Sequence, residues 1–208
     1  MVRMGAVVEH ALPDLGPRII DYATLYRTDF MDIYLCARAR FFMGSNSGLV
    51  SVAQIFDVPV GMSNLFPYNT VPSGKNVIYT RMLLRDREAG EILSFPEIKG
   101  RGLLHGQASG PSELLLQRYY DARALDVIHN DAEDITSLCI EMMDQVEGRP
   151  LDPQGVRLRD RNRLLYDGVD RAPEAGQIGT RFAMRHAHLI EPEHSPAVEP
   201  APALEVSR

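Results

Sequence analysis

The run from Ala37 to Asn64, ARARFFMGSNSGLVSVAQIFDVPVGMSN, constrains the fold more than any other part of the chain. It reads as an apolar strand (Arg40 to Met43), a small-polar turn (Gly44 to Gly48), an apolar helix (Leu49 to Phe56) and a second strand (Val58 to Met62). Strand, helix and strand at this spacing imply a parallel pair joined by a crossover. The turn places bare backbone N–H groups at a helix N-terminus, where an anion is favoured by unpaired donors and by the helix dipole.

The flanking sequence extends the same α/β pattern. Pro17 to Tyr22 reads as a short strand with Ile19 and Ile20 apolar on both faces. Thr28 or Asp29 caps a helix through Ala37, with Phe30, Ile33, Tyr34 and Ala37 recurring at three and four. Val77 to Leu84 is either a strand or a buried helix, Arg85 to Ser112 is expected to be irregular, and Glu113 to Leu125 to be helical behind Ser112. Asn130, with Glu133 three residues on, forms a capping-box arrangement before the apolar stripe Ile135, Leu138, Cys139 and Met142. Further helices are expected over Pro153 to Tyr166 and within Gln177 to Leu189.

A formal charge of -6 offers no field for nucleic acid or an anionic membrane. The cluster Arg157, Arg159, Arg161 and Arg163 shares its segment with Leu158 and Leu164 and reads as a solvated helix face. Cys36 and Cys139 lie far apart within apolar helical patterns, which suits free thiols in a reducing compartment. No apolar run approaches the roughly 20 residues of a membrane span, and no signal peptide is visible. The expected location is cytoplasmic, peripheral to the inner membrane if a membrane partner is involved.

RMG near the start, IIDYA, DFMDIYLCARARFFMGSNSGL, DVPVGMSN, SFPEI and EMMDQVEG together resemble a bacterial family of inferred glycosyltransferases of GT-B-like organisation, associated with surface polysaccharide. The similarity spans Val2 to Leu189 and is densest from Asp29 to Gly48. It implies a Rossmann-like parallel sheet with flanking helices, the C-terminal donor-binding half of a two-domain enzyme. On that basis residues 1–190 form the domain and 191–208 a disordered tail rich in Pro and Glu. Only Met1 to Met4 precede Gly5, where a parallel strand has about five or six residues, so the first strand is expected to be truncated. The resemblance implies a nucleotide-sugar donor as substrate, a glycan or lipid-linked acceptor, a separate N-terminal domain chain as partner, and no cofactor or metal.

The donor-binding residues it implies are Arg3, Gly5, Ser45, Asn46, Ser47, Gly48 and Asn64. Ser45 to Leu49 would supply N–H groups to a diphosphate, with the Ser45 and Ser47 hydroxyls adding to them and Gly44 and Gly48 allowing close backbone approach. The same turn also reads as a plain helix start capped by Ser45 or Ser47. Arg3 is a phosphate partner or a surface arginine, and Asn64 a nucleotide contact or the closure of a turn. Tyr68 is a base-stacking group or an exposed loop residue, and Glu97 a ribose contact or a helix-start residue after Pro96. Asp21 and Asp32 are carboxylates within the matched run, and neither is assigned as a base. His186, His188 and His194 fit no standard zinc spacing. No Gly-Lys-Ser/Thr follows the turn, and Asn46 occupies the nucleophile position of a Gly-x-Ser-x-Gly elbow, which removes the P-loop and hydrolase readings. An inactive nucleotide- or sugar-binding remnant and a flavodoxin-like binding domain are the rival readings.

Overall fold

A computed structural model describes residues 1–104, 117–166 and 175–192. Along the chain run α1 (Tyr22–Leu25), α2 (Asp29–Arg38), β1 (Phe42–Gly44), α3 (Gly48–Ile55), β2 (Val60–Leu65), β3 (Val77–Arg81), β4 (Leu83–Asp86), α4 (Phe95–Gly100), α5 (Gln117–Asp121), β5 (Leu125–Ile128), α6 (Ala132–Val146), α7 (Pro153–Leu165), β6 (Gln177–Ile178), α8 (Thr180–Arg185) and α9 (Ala187–Ile190). Four strands form one sheet in the order β1-β2-β3-β6, every pair parallel. The α/β class and the β1-α3-β2 unit are as the sequence implies. β4 and β5 form a separate antiparallel pair.

All five residues of β3 are buried, as a parallel strand covered on both faces requires. On one face Val60, Met62, Val77 and Tyr79 join Val50 and Ala53 of α3 and Leu158 of α7 in the main core. On the other, Ile78 packs with Leu138 and Met142 of α6, and Phe41 and Met43 lie against them. Gly61 permits that approach: a Cβ there would stand 2.5 Å from Met43 Sδ and 2.9 Å from Met142 Cγ. Gly44, Met62, Tyr79 and Ile178 form one row across the sheet, so the ends of β1 and β6 lie level on opposite edges.

Several local expectations are corrected. In α2 the stripe Phe30, Ile33 and Tyr34 is 73%, 44% and 47% exposed, while Asp32 and Cys36 are buried. Asp32 is stabilised there because its carboxylate accepts the Tyr22 hydroxyl at 2.9 Å and pairs with Arg27 at 2.9 Å. Pro17 to Tyr22 contributes only a parallel bridge from Ile20 to Val2 before α1 begins. Val77 to Leu84 holds two strands separated at Met82. Residues 85–104 are not irregular throughout: β4 continues to Asp86 and α4 starts at Phe95. Ser94 and Glu97 form a reciprocal capping box there, so Glu97 serves as a helix-start residue. Leu125 opens β5 because Leu125 to Ile128 pairs with Leu83 to Asp86. Gln177 to Leu189 contains a short edge strand and two short helices instead of one helix. Ser112, Glu113, His194 and the tail from residue 193 lie outside the described residues. Among the described residues no helix is long and apolar enough to cross a membrane.

Candidate anion-binding turn at the carboxyl edge of the sheet

β1 runs into Ser45, Asn46 and Ser47 and then into α3, and Ser45 to Gly48 are exposed. Ser47 occupies the N-cap position, but its hydroxyl makes no capping bond. Val50 N–H donates to the Ser47 carbonyl at 3.2 Å, whereas the N–H groups of Gly48 and Leu49 have no hydrogen-bond partner among the described residues. These are the orphan donors that every helix start leaves, here facing outward. A Cβ at Gly48 would meet nothing within 4 Å. The turn can therefore accept an oxygen anion with two aligned N–H groups and nearby hydroxyls, without displacing anything packed on it.

Asn64 lies at the end of the neighbouring strand, where Ser63 Oγ is 3.5 Å from the Gly44 carbonyl. Its φ of +55° breaks the register of β2. The strand ends are rejoined by Asn130, 8% exposed. Asn130 Oδ1 accepts from Asn64 N–H and from Thr80 Oγ1, both at 2.7 Å, and its Nδ2 donates to the Arg81 carbonyl at 2.7 Å. Asn130 N–H in turn donates to Asn64 Oδ1 at 2.7 Å. The cap of α6 is Asp131, whose carboxylate accepts from Asp134 N–H at 2.9 Å. Asn130 is drawn from the expected capping role because both its donor and its acceptor are required between β2 and β3.

Arg3 and Gly5 are placed differently. Arg3 Nη1 donates to the His10 carbonyl at 2.8 Å and pairs with Asp21 at 3.3 Å, and none of its bonds reaches the turn. The Thr24 hydroxyl and Leu12 N–H, with Arg3, hold the Asp21 carboxyl below its ordinary range. Gly5 has φ +146°, a backbone that side chains rarely adopt. Tyr68 is 1% exposed, with its hydroxyl donating to the Met82 carbonyl at 2.5 Å, so neither base stacking nor an exposed loop position describes it. Burial pushes its phenol well above the ordinary range.

At the other edge, β6 meets α8 in a turn of the same topology, and this one is filled. Glu141 of α6, 1% exposed, accepts from Thr180 N–H at 2.8 Å and Arg181 N–H at 3.0 Å. Arg159 Nη2 donates to the same carboxylate at 2.7 Å. Arg159 thus leaves the expected solvated face. Its side chain is 12% exposed, and Nε donates to the Ile178 carbonyl at 3.0 Å. Burial lowers the basicity of this guanidinium, and the Glu141 charge opposes the shift. Glu141 and the stapling role of Asn130 are the structural features that sequence patterning missed. Comparisons with protein-family models, curated proteins and solved structures found no match.

Proposed function

We propose that this chain is the donor-binding half of a glycosyltransferase of GT-B-like organisation, which transfers a sugar from a nucleotide donor to a glycan or lipid-linked acceptor. The observation that carries the reading is the open turn from Ser45 to Gly48, with the unpartnered N–H groups of Gly48 and Leu49 at the start of an eight-residue helix. It stands at the carboxyl edge of a parallel sheet, where open α/β sheets bind ligands, and within the run that resembles the family. The Glu141 carboxylate on the corresponding turn of β6 is an internal precedent for an anion in this geometry.

In this reading the turn stabilises the charge that develops on the departing diphosphate, through positioned N–H donors and the positive end of the helix dipole. Asn64 borders the turn from β2. A separate N-terminal domain supplies the acceptor side of the cleft and the groups that complete the reaction. The internal engagement of Arg3 and Asn64 favours one alternative, an inactive nucleotide- or sugar-binding remnant with a regulatory or partner-binding role.

Calorimetry of the full chain against a panel of nucleotides and nucleotide sugars tests the reading. Saturable binding is expected in the parent and is expected to weaken at least tenfold in Gly48→Val, whose side chain blocks backbone approach. Failure of the folded parent to bind any member of the panel overturns it. Sugar transfer on adding an N-terminal half separates the enzyme from the remnant.

A further inference from the structure

An apolar surface faces outward on α2 and on the chain that leads into it. Asp32 and Cys36 are the buried side of this helix, so Phe30, Ile33 and Tyr34 stand on its outer side. Leu25 and Tyr26, each 64% exposed, come just before the Thr28 cap. Phe30 stacks on Tyr34 with ring centres 6.0 Å apart and planes inclined by 20°. The helix is fixed in this orientation from its inner side: Thr28 Oγ1 accepts Met31 N–H at 3.2 Å, and Asp32 is held by Tyr22 and Arg27.

The size of the surface is informative. A full aromatic side chain presents roughly 200 Å², and leucine or isoleucine somewhat less. On that scale the exposed fractions of Leu25, Tyr26, Phe30, Ile33 and Tyr34 amount to roughly 550 Å². This is the upper end of the apolar patch a monomer leaves in water, about 300–600 Å², and patches of that size commonly mark interaction sites. Paired with itself, the patch would remove about 1,100 Å² from water, enough to clear the roughly 1,000 Å² that a specific association needs. Three of its five residues are aromatic, the composition that interface centres favour.

Shape and charge point to a second copy as the occupant. The midpoint of Asp29–Arg38 falls between Ile33 and Tyr34. A two-fold axis there sets α2 antiparallel to its copy and brings Phe30 of each level with Ala37 of the other. Phe30 is 73% exposed and Ala37 half-buried, so a large side chain meets a small one at both ends. Ile33 and Tyr34 each meet their own counterpart beside the axis. The start of α2 carries Asp29 and Asp32 against Arg27. Its end carries Arg38 and Arg40 against Glu147, 3.4 Å from Arg40. Antiparallel packing therefore sets a net negative end beside a net positive one, with the two helix dipoles opposed.

We propose that the outer face of α2 is the interface of a two-fold dimer of this chain, in which the two copies of α2 run antiparallel and Phe30 of each copy seats against Ala37 of the other. Nothing in this depends on the open turn binding a donor.

The test is sedimentation equilibrium of the full chain from micromolar to submillimolar concentration. The parent is expected to dimerise, and Phe30→Glu and Ile33→Glu to weaken the dimer tenfold or more. A glutamate in the first turn of α2 suits the helix dipole, so the Phe30→Glu monomer should keep the parent's circular dichroism spectrum. Ile33→Cys should form an interchain disulfide under mild oxidation, because the two positions meet beside the axis. The parent should not, since Cys36 is buried and Cys139 lies on α6. If Phe30→Glu fails to fold, the disulfide decides. A parent that is monomeric at submillimolar concentration overturns the proposal. So does a dimer that the folded Phe30→Glu variant leaves as tight as before, or one in which Ile33→Cys forms no disulfide. A monomer that binds phosphatidylcholine vesicles, or a separately supplied N-terminal half in preference to itself, would give the face another occupant and overturn it equally.

Discussion

The turns that follow β1 and β6 lie level on one parallel sheet and meet the same demand in opposite ways. Both deliver a strand into a helix and leave N–H groups without helical partners. After β6 the Thr180 donor is buried and the Arg181 donor partly so, and the chain supplies its own anion, Glu141, and balances it with Arg159. After β1 the turn is exposed, the Ser47 cap bond is absent and the donors of Gly48 and Leu49 face outward. What differs is burial: an inward turn must be satisfied from within, whereas an outward one can wait for water or a ligand.

The largest expected effect breaks the filled side. Glu141→Ala should cost about 3–5 kcal/mol in urea denaturation, because it leaves Arg159 as a buried charge without its partner. A loss below about 1 kcal/mol would show that Glu141 does not hold that turn. Next in size is Gly155→Ala. A Cβ there would stand 2.7 Å from Thr180 Cβ and 3.1 Å from the Thr180 carbonyl, pushing α7 away from the filled turn. Overpacking of this kind should cost about 1–3 kcal/mol, read from the same denaturation curves.

Acid should loosen the same side. Burial alone would raise the Asp134 carboxyl, but bonds from His186 at 3.0 Å and Arg185 at 2.6 Å outweigh it and hold it below the usual range. A carboxyl depressed in the folded state contributes stability that is fully present above its unfolded value, about 3.9, and is lost as the pH falls through the folded one. Stability should therefore decline below about pH 4, with a shallower slope in Asp134→Asn. An unchanged slope in that variant would remove Asp134 from the account.

The two turns were not equally legible in the sequence. The open one is local: an apolar strand, five small polar residues and an apolar helix announce themselves within twenty residues. The filled one depends on Glu141, which sits one residue from Met142 in an apolar stripe and meets its partners 39 and 40 residues later. Asn130 illustrates the same limit, since its spacing to Glu133 has the form of a cap while its partners are strand ends 66 and 50 residues away. In α2 the periodicity was real but its direction was inverted, because the bonds to Asp32 made a carboxylate the buried side chain. Of the candidate site, Ser45 to Gly48 and the position of Asn64 follow from strand order. The pairing of Arg3 with Asp21 follows from a loop whose course no periodicity encodes.

The smallest effect is the most specific one. Ser47→Asp would give the open turn an internal anion of the kind the other turn already has. Aspartate is a strong N-cap, and its charge faces the positive end of α3, so a gain of about 0.5–1 kcal/mol is expected. The gain should shrink with added salt, because the carboxylate is exposed. It should also exclude a phosphate ligand by occupying the donors of Gly48 and Leu49 and adding a like charge. A more stable protein that has lost nucleotide-sugar affinity would make the two turns equivalent and identify the ligand's place. A Ser47→Asp protein no more stable than the parent would mean that the donors of α3 are not free to take an anion, and the contrast between the turns would collapse.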